Sequence, residues 1–369
     1  MVRRLLYLMG LAVLCVVLYH ASGWGFISMF WWTDRYLPVS VPNFDQMGSA
    51  SYYALRAIEQ LIIFAIPSFL FVSGFFLAFA TPRNRATIGW EVIFTRVKNL
   101  LIPYLIWSCL LIGLEVFLGR SLTLGEFIRI LLTGQATDAY YFIPVLIQLY
   151  LLAPFLIPFA RKRWKLALLL AGLFQLFILI LRYTAILGLD LLALEPFLIL
   201  TRSWLFTGFL FWFVFGIVFG FHSAEIKVAF VRLRWVALAG LALVFVMGMI
   251  EWEALLHASG QAWIAPEETL IDQVYAGLFL IAFLGFEKFS LPANKGISQI
   301  GTKSFGVYLA HSLALTYTAK LIYHFTPQLL GVQWIFQPVL YVAGLGIPLL
   351  LMAILARSPL RRYYSLVFG

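Results

Sequence analysis

Ten apolar stretches, each near the length that carries a helix across a bilayer core of about 30 Å, constrain this chain more than any other feature. They fall at 5–26, 55–80, 100–118, 140–159, 165–187, 203–222, 234–256, 269–286, 300–324 and 334–356. Hydrocarbon offers no hydrogen bonds to a backbone, so a segment of this kind must satisfy its own amide groups as a helix. The expected fold class is therefore an all-α polytopic membrane protein with ten transmembrane helices. Composition excludes the soluble alternative. Of 369 residues 63% are hydrophobic and 11% charged, at a mean hydropathy of +0.96, where a soluble domain carries about 25% charged residues.

The formal charge of +10 could suggest a nucleic-acid partner, but its placement argues against one. With the N-terminus inside, 19 of the 26 Lys and Arg fall on inner segments and five (Arg35, Arg120, Arg129, Arg182 and Arg202) on outer ones. Arg56 and Lys320 lie within or at the outer ends of helices. This bias predicts cytoplasmic N- and C-termini in the inner (plasma) membrane, with lipids as partners and no nucleic acid. Arg3 and Arg4, an apolar run and then Ala21-Ser22-Gly23 have the layout of a signal peptide. The apolar run continues through Trp24 and Phe26, so a retained first helix is expected. Cys15 and Cys109 lie in apolar segments without ligand spacing, so neither a disulfide framework nor a metal site is expected. A single domain over 1–369 is expected. No internal repeat is visible, which weighs against an inverted-repeat transporter. The stretch 27–54, with Trp31, Trp32, Asp34 and Asp45, reads as an outer loop whose aromatics form an interfacial belt or the wall of an outer site. Residues 83–99 and 120–135 read as interfacial helices or loops.

Four segments hold residues capable of chemistry. His20 lies about 22 Å beyond Leu5 along the first helix, in the outer half of the membrane. An ionisable group at that depth faces a bundle interior or a wet cavity, and a neutral imidazole is suited to take a proton from a hydroxyl. Glu59 enters the second helix from the outside at a similar depth, where it could orient the imidazole as in a triad. It could equally pair with Arg56 one turn away and serve only the interface. Downstream, Pro67 predicts a kink, and Ser73-Gly74 permits close approach of another helix or a ligand. The third segment, Arg96-Val-Lys98 with Arg83 and Arg85 before it, is a cytoplasmic cluster that could hold the phosphates of a soluble donor or anchor anionic lipid. In the fourth, Ser304, Tyr308, His311 and Ser312 share one helical face, a polar stripe that must avoid lipid.

In this order the segments resemble the acyltransferase-3 family of membrane O-acyltransferases. The first helix ending in His20 is similar to the family's "LRGLAxLxVVxxH", and Pro-Ser-Phe-Leu-Phe-Val-Ser73-Gly74-Phe to "PLFFxxSGF". Arg96-Val-Lys98-Asn-Leu-Leu-Ile-Pro103-Tyr resembles "RxKRLLxPY". Tyr141-Phe-Ile-Pro144 through Gln148 resembles "WFLxxLLxxY", and Ser304 through His311 resembles "SYGIYLxH". The resemblance implies acyl transfer, usually of acetyl, from cytoplasmic acetyl-CoA or another acyl-CoA to a hydroxyl of an extracytoplasmic glycan, glycolipid or small metabolite. It implies His20 as the essential histidine, Arg96 and Lys98 (with Arg83 nearby) as the donor site, and Tyr141, Tyr308 and His311 near the substrate. Ser73, Gln148 and Tyr308 are candidates for the donors that a thioester oxygen needs. The pattern departs at Met9 and Asn99, where the family carries arginines. Two other classes remain to be weighed, a secondary transporter or lipid flippase and a non-catalytic sensor on the same fold.

Overall fold

The computed structural model describes residues 1–32, 43–190, 193–264 and 268–369; Asp34 and Arg35 of the expected outer loop lie outside them. Among the described residues the chain is helical throughout, with no strand. Helix α1 (Val2–Phe30) is followed by α2 (Ala50–Ile62) and α3 (Ala65–Ala80). The break between α2 and α3 has its cause in Pro67. A proline has no N–H for the carbonyl four residues back, here Ile63, and the helix parts at that point. Helix α4 (Trp90–Phe117) follows, so residues 90–99 are its opening turns rather than a separate interfacial element. The expected segment at 120–135 contains α5 (Leu124–Thr133), opened by a reciprocal Thr123–Glu126 capping box and closed by Gly134 at φ 74°. Then come α6 (Phe142–Lys162), α7 (Trp164–Ile186), α8 (Leu210–Ser259), α9 (Leu270–Gly285) and α10 (Asn294–Thr302). The chain ends in α11 (Ser304–Phe325), α12 (Gln333–Arg357) and the short α13 (Tyr364–Phe368).

Seven of these spans are long and apolar enough to cross a membrane, counting α2 and α3 as one. The difference from ten windows has three sources. Windows 203–222 and 234–256 both fall within α8 and count there as one span. Non-helical backbone at His222 (φ −116°, ψ 23°) divides α8 into two helices, and the Phe219 ring stacks on Phe230 with 5.9 Å between centroids, so the chain folds back there. The His222 imidazole is bonded to the Arg161 carbonyl at 3.1 Å. Helix α9 is apolar but has 16 residues, and α11 bears the polar stripe.

Helix α1 is the hub, packed by α2, α3, α10, α11 and α12. Glycines set the closest crossings. A Cβ on Gly10 would strike the Ile297 carbonyl, and one on Gly301 the Leu6 carbonyl, so α1 and α10 touch backbone to backbone. Gly74 and Gly216 do the same for α3 and α8, against Phe213 and Phe71. Small residues at crossings are how helices gain contact where lipid supplies no hydrophobic drive.

Candidate active site

Between the C-terminal half of α1, the ends of α2 and α11 and the turn at 137–141 lies a cavity of about 570 Å³. Tyr19, His20, Trp24, Glu59, Tyr141 and Tyr308 are among its walls, with Ser312 and Thr316 farther along α11. His20 reaches it from α1 and makes no hydrogen bond to any described residue. The Tyr19 ring stands edge-on to it, 5.4 Å between centroids. On the other side is His311, whose ring centroid is 5.1 Å away.

The stripe on α11 is buried, as its spacing requires. Tyr308 donates its hydroxyl to the Ala139 carbonyl, and Tyr140 donates back to the Leu309 carbonyl, lacing the 137–141 turn to α11. His311 is fully buried and does not line the cavity. Its Nδ1 lies 2.6 Å from the Tyr308 carbonyl oxygen. A carbonyl can only accept, so Nδ1 carries the hydrogen and Nε2 is left as an acceptor. The hydroxyl of Ser312 lies 3.5 Å from that Nε2.

Glu59 shares the cavity with His20, but its carboxylate is taken by Arg56, an ion pair with side chains 5% and 7% exposed. The Arg56 guanidinium also stacks 3.6 Å over Trp252. Gln60, the next residue, donates to Asp272 at 3.0 Å. No hydrogen bond joins Glu59 to His20. The structure therefore supplies the interfacial pair that the Arg56 and Glu59 spacing allowed, and places it at the cavity wall.

Two other sequence candidates lie elsewhere. Gln148 binds the Trp204 carbonyl at 2.7 Å and the Phe206 N–H at 3.3 Å, bracing the approach to α8. Ser73 precedes the Gly74 crossing and is not in the cavity wall. The basic residues are on the segment joining α3 to α4 and on the first turns of α4. Arg83 and Lys98 are exposed, and Arg96 reaches the Phe76 carbonyl at 3.4 Å. The side chains of Arg83 and Lys98 have no partner among the described residues. Arg4 does not take the place of the arginine absent at Met9. It donates to the carbonyls of Phe283 (2.6 Å), Phe289 (2.9 Å) and Glu287 (3.5 Å), closing the C-terminal end of α9.

Sequence reasoning missed the far wall, which includes Asp138, Trp263 and the Arg182–Glu268 pair at 3.2 Å. The signal for them was three charged residues, Asp138, Arg182 and Glu268, at or near the ends of apolar windows; positive-inside counting takes Arg182 as a loop charge and leaves the two carboxylates out.

A polytopic helical protein with an imidazole facing a deep polar-edged cavity belongs among membrane enzymes and carriers of polar cargo. A family model described as an acyltransferase domain matches residues 4–357, and the chain belongs to the acyltransferase-3 family. Relatives from Staphylococcus aureus strains MSSA476, MW2 and N315 carry the name "Probable poly-beta-1,6-N-acetyl-D-glucosamine export protein". Each is 26% identical over 276 residues, 73% of this chain and 74% of the relative. No solved structure matches the chain.

Proposed function

We propose that this protein is a transmembrane O-acyltransferase, moving an acyl group, in the simplest case acetyl, from cytoplasmic acyl-CoA to an extracytoplasmic hydroxyl on a carbohydrate, glycolipid or exported metabolite. On this reading residues 1–369 form one domain of ten membrane crossings in the inner (plasma) membrane, with both termini cytoplasmic. The family supports the acyl transfer, and the charge bias supports the orientation. The observation that carries the reading is His20, an imidazole with no hydrogen bond to a described residue, at the wall of a cavity of about 570 Å³.

Arg83, Arg96 and Lys98 would hold the donor phosphates at the cytoplasmic mouth. His311 lies only about 10 Å along α11 from its first residue, so the His pair is within a pantetheine arm's reach of that side. His20 would receive the proton of the acceptor hydroxyl as its oxygen attacks the acyl carbon. It would then return that proton to the departing thiolate, or carry the acyl group itself between two half-reactions. The hydroxyl of Tyr308 and the amide of Gln148 are already engaged with backbone groups. Tyr141 and Ser312, both in the cavity wall, are nearer to hand for contact with substrate.

The test is transfer from labelled acetyl-CoA, with hydrolysis followed in parallel, by protein purified in detergent. His20→Gln keeps volume and hydrogen bonding but not the basic nitrogen, and should lose about 10²–10⁴-fold. Near-normal turnover in His20→Gln overturns the assignment. The relatives' name favours a second reading, export of a β-1,6-linked N-acetylglucosamine polymer. Oligomer movement across proteoliposomes without acyl-CoA, together with no acyl transfer, would select it.

A further inference from the structure

His311 is excluded from the substrate by its own burial. It is 0% exposed, does not line the cavity, and is reached from the cavity side through His20. Its chemistry is nevertheless fixed. Because Nδ1–H is committed to the Tyr308 carbonyl, the group that it can present to a neighbour is the Nε2 lone pair. Two hydrogen donors can approach that lone pair. One is the Ser312 hydroxyl, at the 3.5 Å limit of a hydrogen bond. The other is a ring N–H of His20, whose centroid is 5.1 Å off with the planes tilted by 48°. No hydrogen bond joins the rings as they stand. That centroid spacing leaves room for a hydrogen bond between two ring nitrogens that face each other.

We propose that His311 is the positioning residue of His20, accepting one of its ring N–H groups at Nε2 and thereby presenting the opposite His20 nitrogen, unprotonated, to the cavity. This rests on the acyl-transfer reading and supplies what Glu59 was expected to supply. Glu59 is bound to Arg56, whereas His311 is anchored through Nδ1 to its own helix and can hold only one tautomer. During transfer the hydroxyl proton moves to the free His20 nitrogen, and the other N–H stays on His20, donated to His311. Both N–H bonds of the transient imidazolium are then accounted for, and the proton leaves with the thiolate. A neutral acceptor stabilises that cation less than a carboxylate would, so His311 acts mainly by orientation.

Two polar substitutions separate positioning from packing. His311→Asn can keep a donor on the Tyr308 carbonyl but has nothing at the Nε2 position. His311→Gln places an acceptor there. The expected result is a fall in kcat of about 10–100-fold for His311→Asn with KM for acetyl-CoA unchanged, and recovery to within about 3-fold for His311→Gln. Equal losses in both variants, or a loss in KM alone, would overturn the proposal. A second readout stands apart from turnover. In the 15N-histidine-labelled full chain, NMR should show His311 protonated at Nδ1 and His20 in one tautomer, with His20 becoming mixed in His311→Asn. His311 protonated at Nε2, or a His20 signal indifferent to His311, would overturn it even if the enzyme proves inactive. Absence of transfer in the wild type with the expected tautomers would instead refute the acyl-transfer reading and leave the pairing in place.

Discussion

Glu59→Gln is the perturbation that best divides structure from chemistry at this site. The Arg56–Glu59 pair is almost wholly dehydrated, with side chains 7% and 5% exposed. The Arg56 guanidinium is further enclosed by Trp252 at 3.6 Å, and its Nε has no hydrogen-bond partner. Removing one member of such a pair leaves an uncompensated buried charge, a loss of about 3–5 kcal/mol. The amide oxygen introduced by Glu59→Gln would still accept one hydrogen bond from Arg56, so the lower end, about 3 kcal/mol, is expected. Removing both charges should be far milder. Arg56→Met with Glu59→Met replaces the pair by apolar volume and should lie within about 1 kcal/mol of wild type. Denaturant unfolding in one detergent of Arg56→Met, Glu59→Met and the double variant gives the cycle and its coupling energy, with Glu59→Gln measured beside them. Per folded molecule, Glu59→Gln should keep transfer within about tenfold of wild type, because the carboxylate orients Arg56 rather than His20. Unaltered stability would refute the energetic reasoning. A stable Glu59→Gln protein as inactive as His20→Gln would refute the structural assignment and make the carboxylate a participant.

Other expectations follow from single contacts. Gly74→Leu should destabilise the protein by about 3 kcal/mol or more, since its Cβ meets the Phe213 backbone and neither helix can move without losing the Gly216 contact, and thermal unfolding checks it. Arg96→Ala with Lys98→Ala should raise the acetyl-CoA Kd at least about tenfold and weaken its salt dependence; equal affinity in wild type and variant would leave these residues as lipid anchors. In a Cys109→Ala background, which removes the exposed native thiol, a cysteine at Ser259 should react with an impermeant reagent added outside. One at Ser223 should react only after permeabilisation, and the reverse pattern would invert the orientation.

Much of the helical architecture was legible because hydropathy writes each membrane segment into contiguous sequence. The same signal does not show how far a helix runs beyond its apolar window. Residues 223–233 are polar enough to look like a loop, yet they are helical, and the chain turns between the two windows at His222. His20 could be singled out by depth, and the α11 stripe by its period. Their meeting could not, since 291 positions separate His20 from His311 and only the packing of α11 on α1 brings them together. Glu59 shows the opposite difficulty. Depth made it a partner for His20, while the one-turn spacing to Arg56 already contained the pair that forms. Local electrostatics won because it needs no tertiary geometry to assemble.

The departures from the family pattern sharpen what the donor site can be. Met9 supplies no charge, and Arg4, the nearest cation on α1, is held by four hydrogen bonds to the end of α9 and by the Phe283 ring at 4.6 Å. Freeing Arg4 for a phosphate would expose those carbonyls and break the contact that ties the first turn of α1 to the end of α9. On the α3–α4 side, the side chains of Arg83 and Lys98 have no partner among the described residues and Arg96 has only one long bond. With Arg4 committed to α9, compensation from α1 for the loss of Arg96 and Lys98 would have to come from the exposed Arg3. Arg4→Ala, by contrast, should lower stability while leaving acetyl-CoA affinity per folded molecule unchanged.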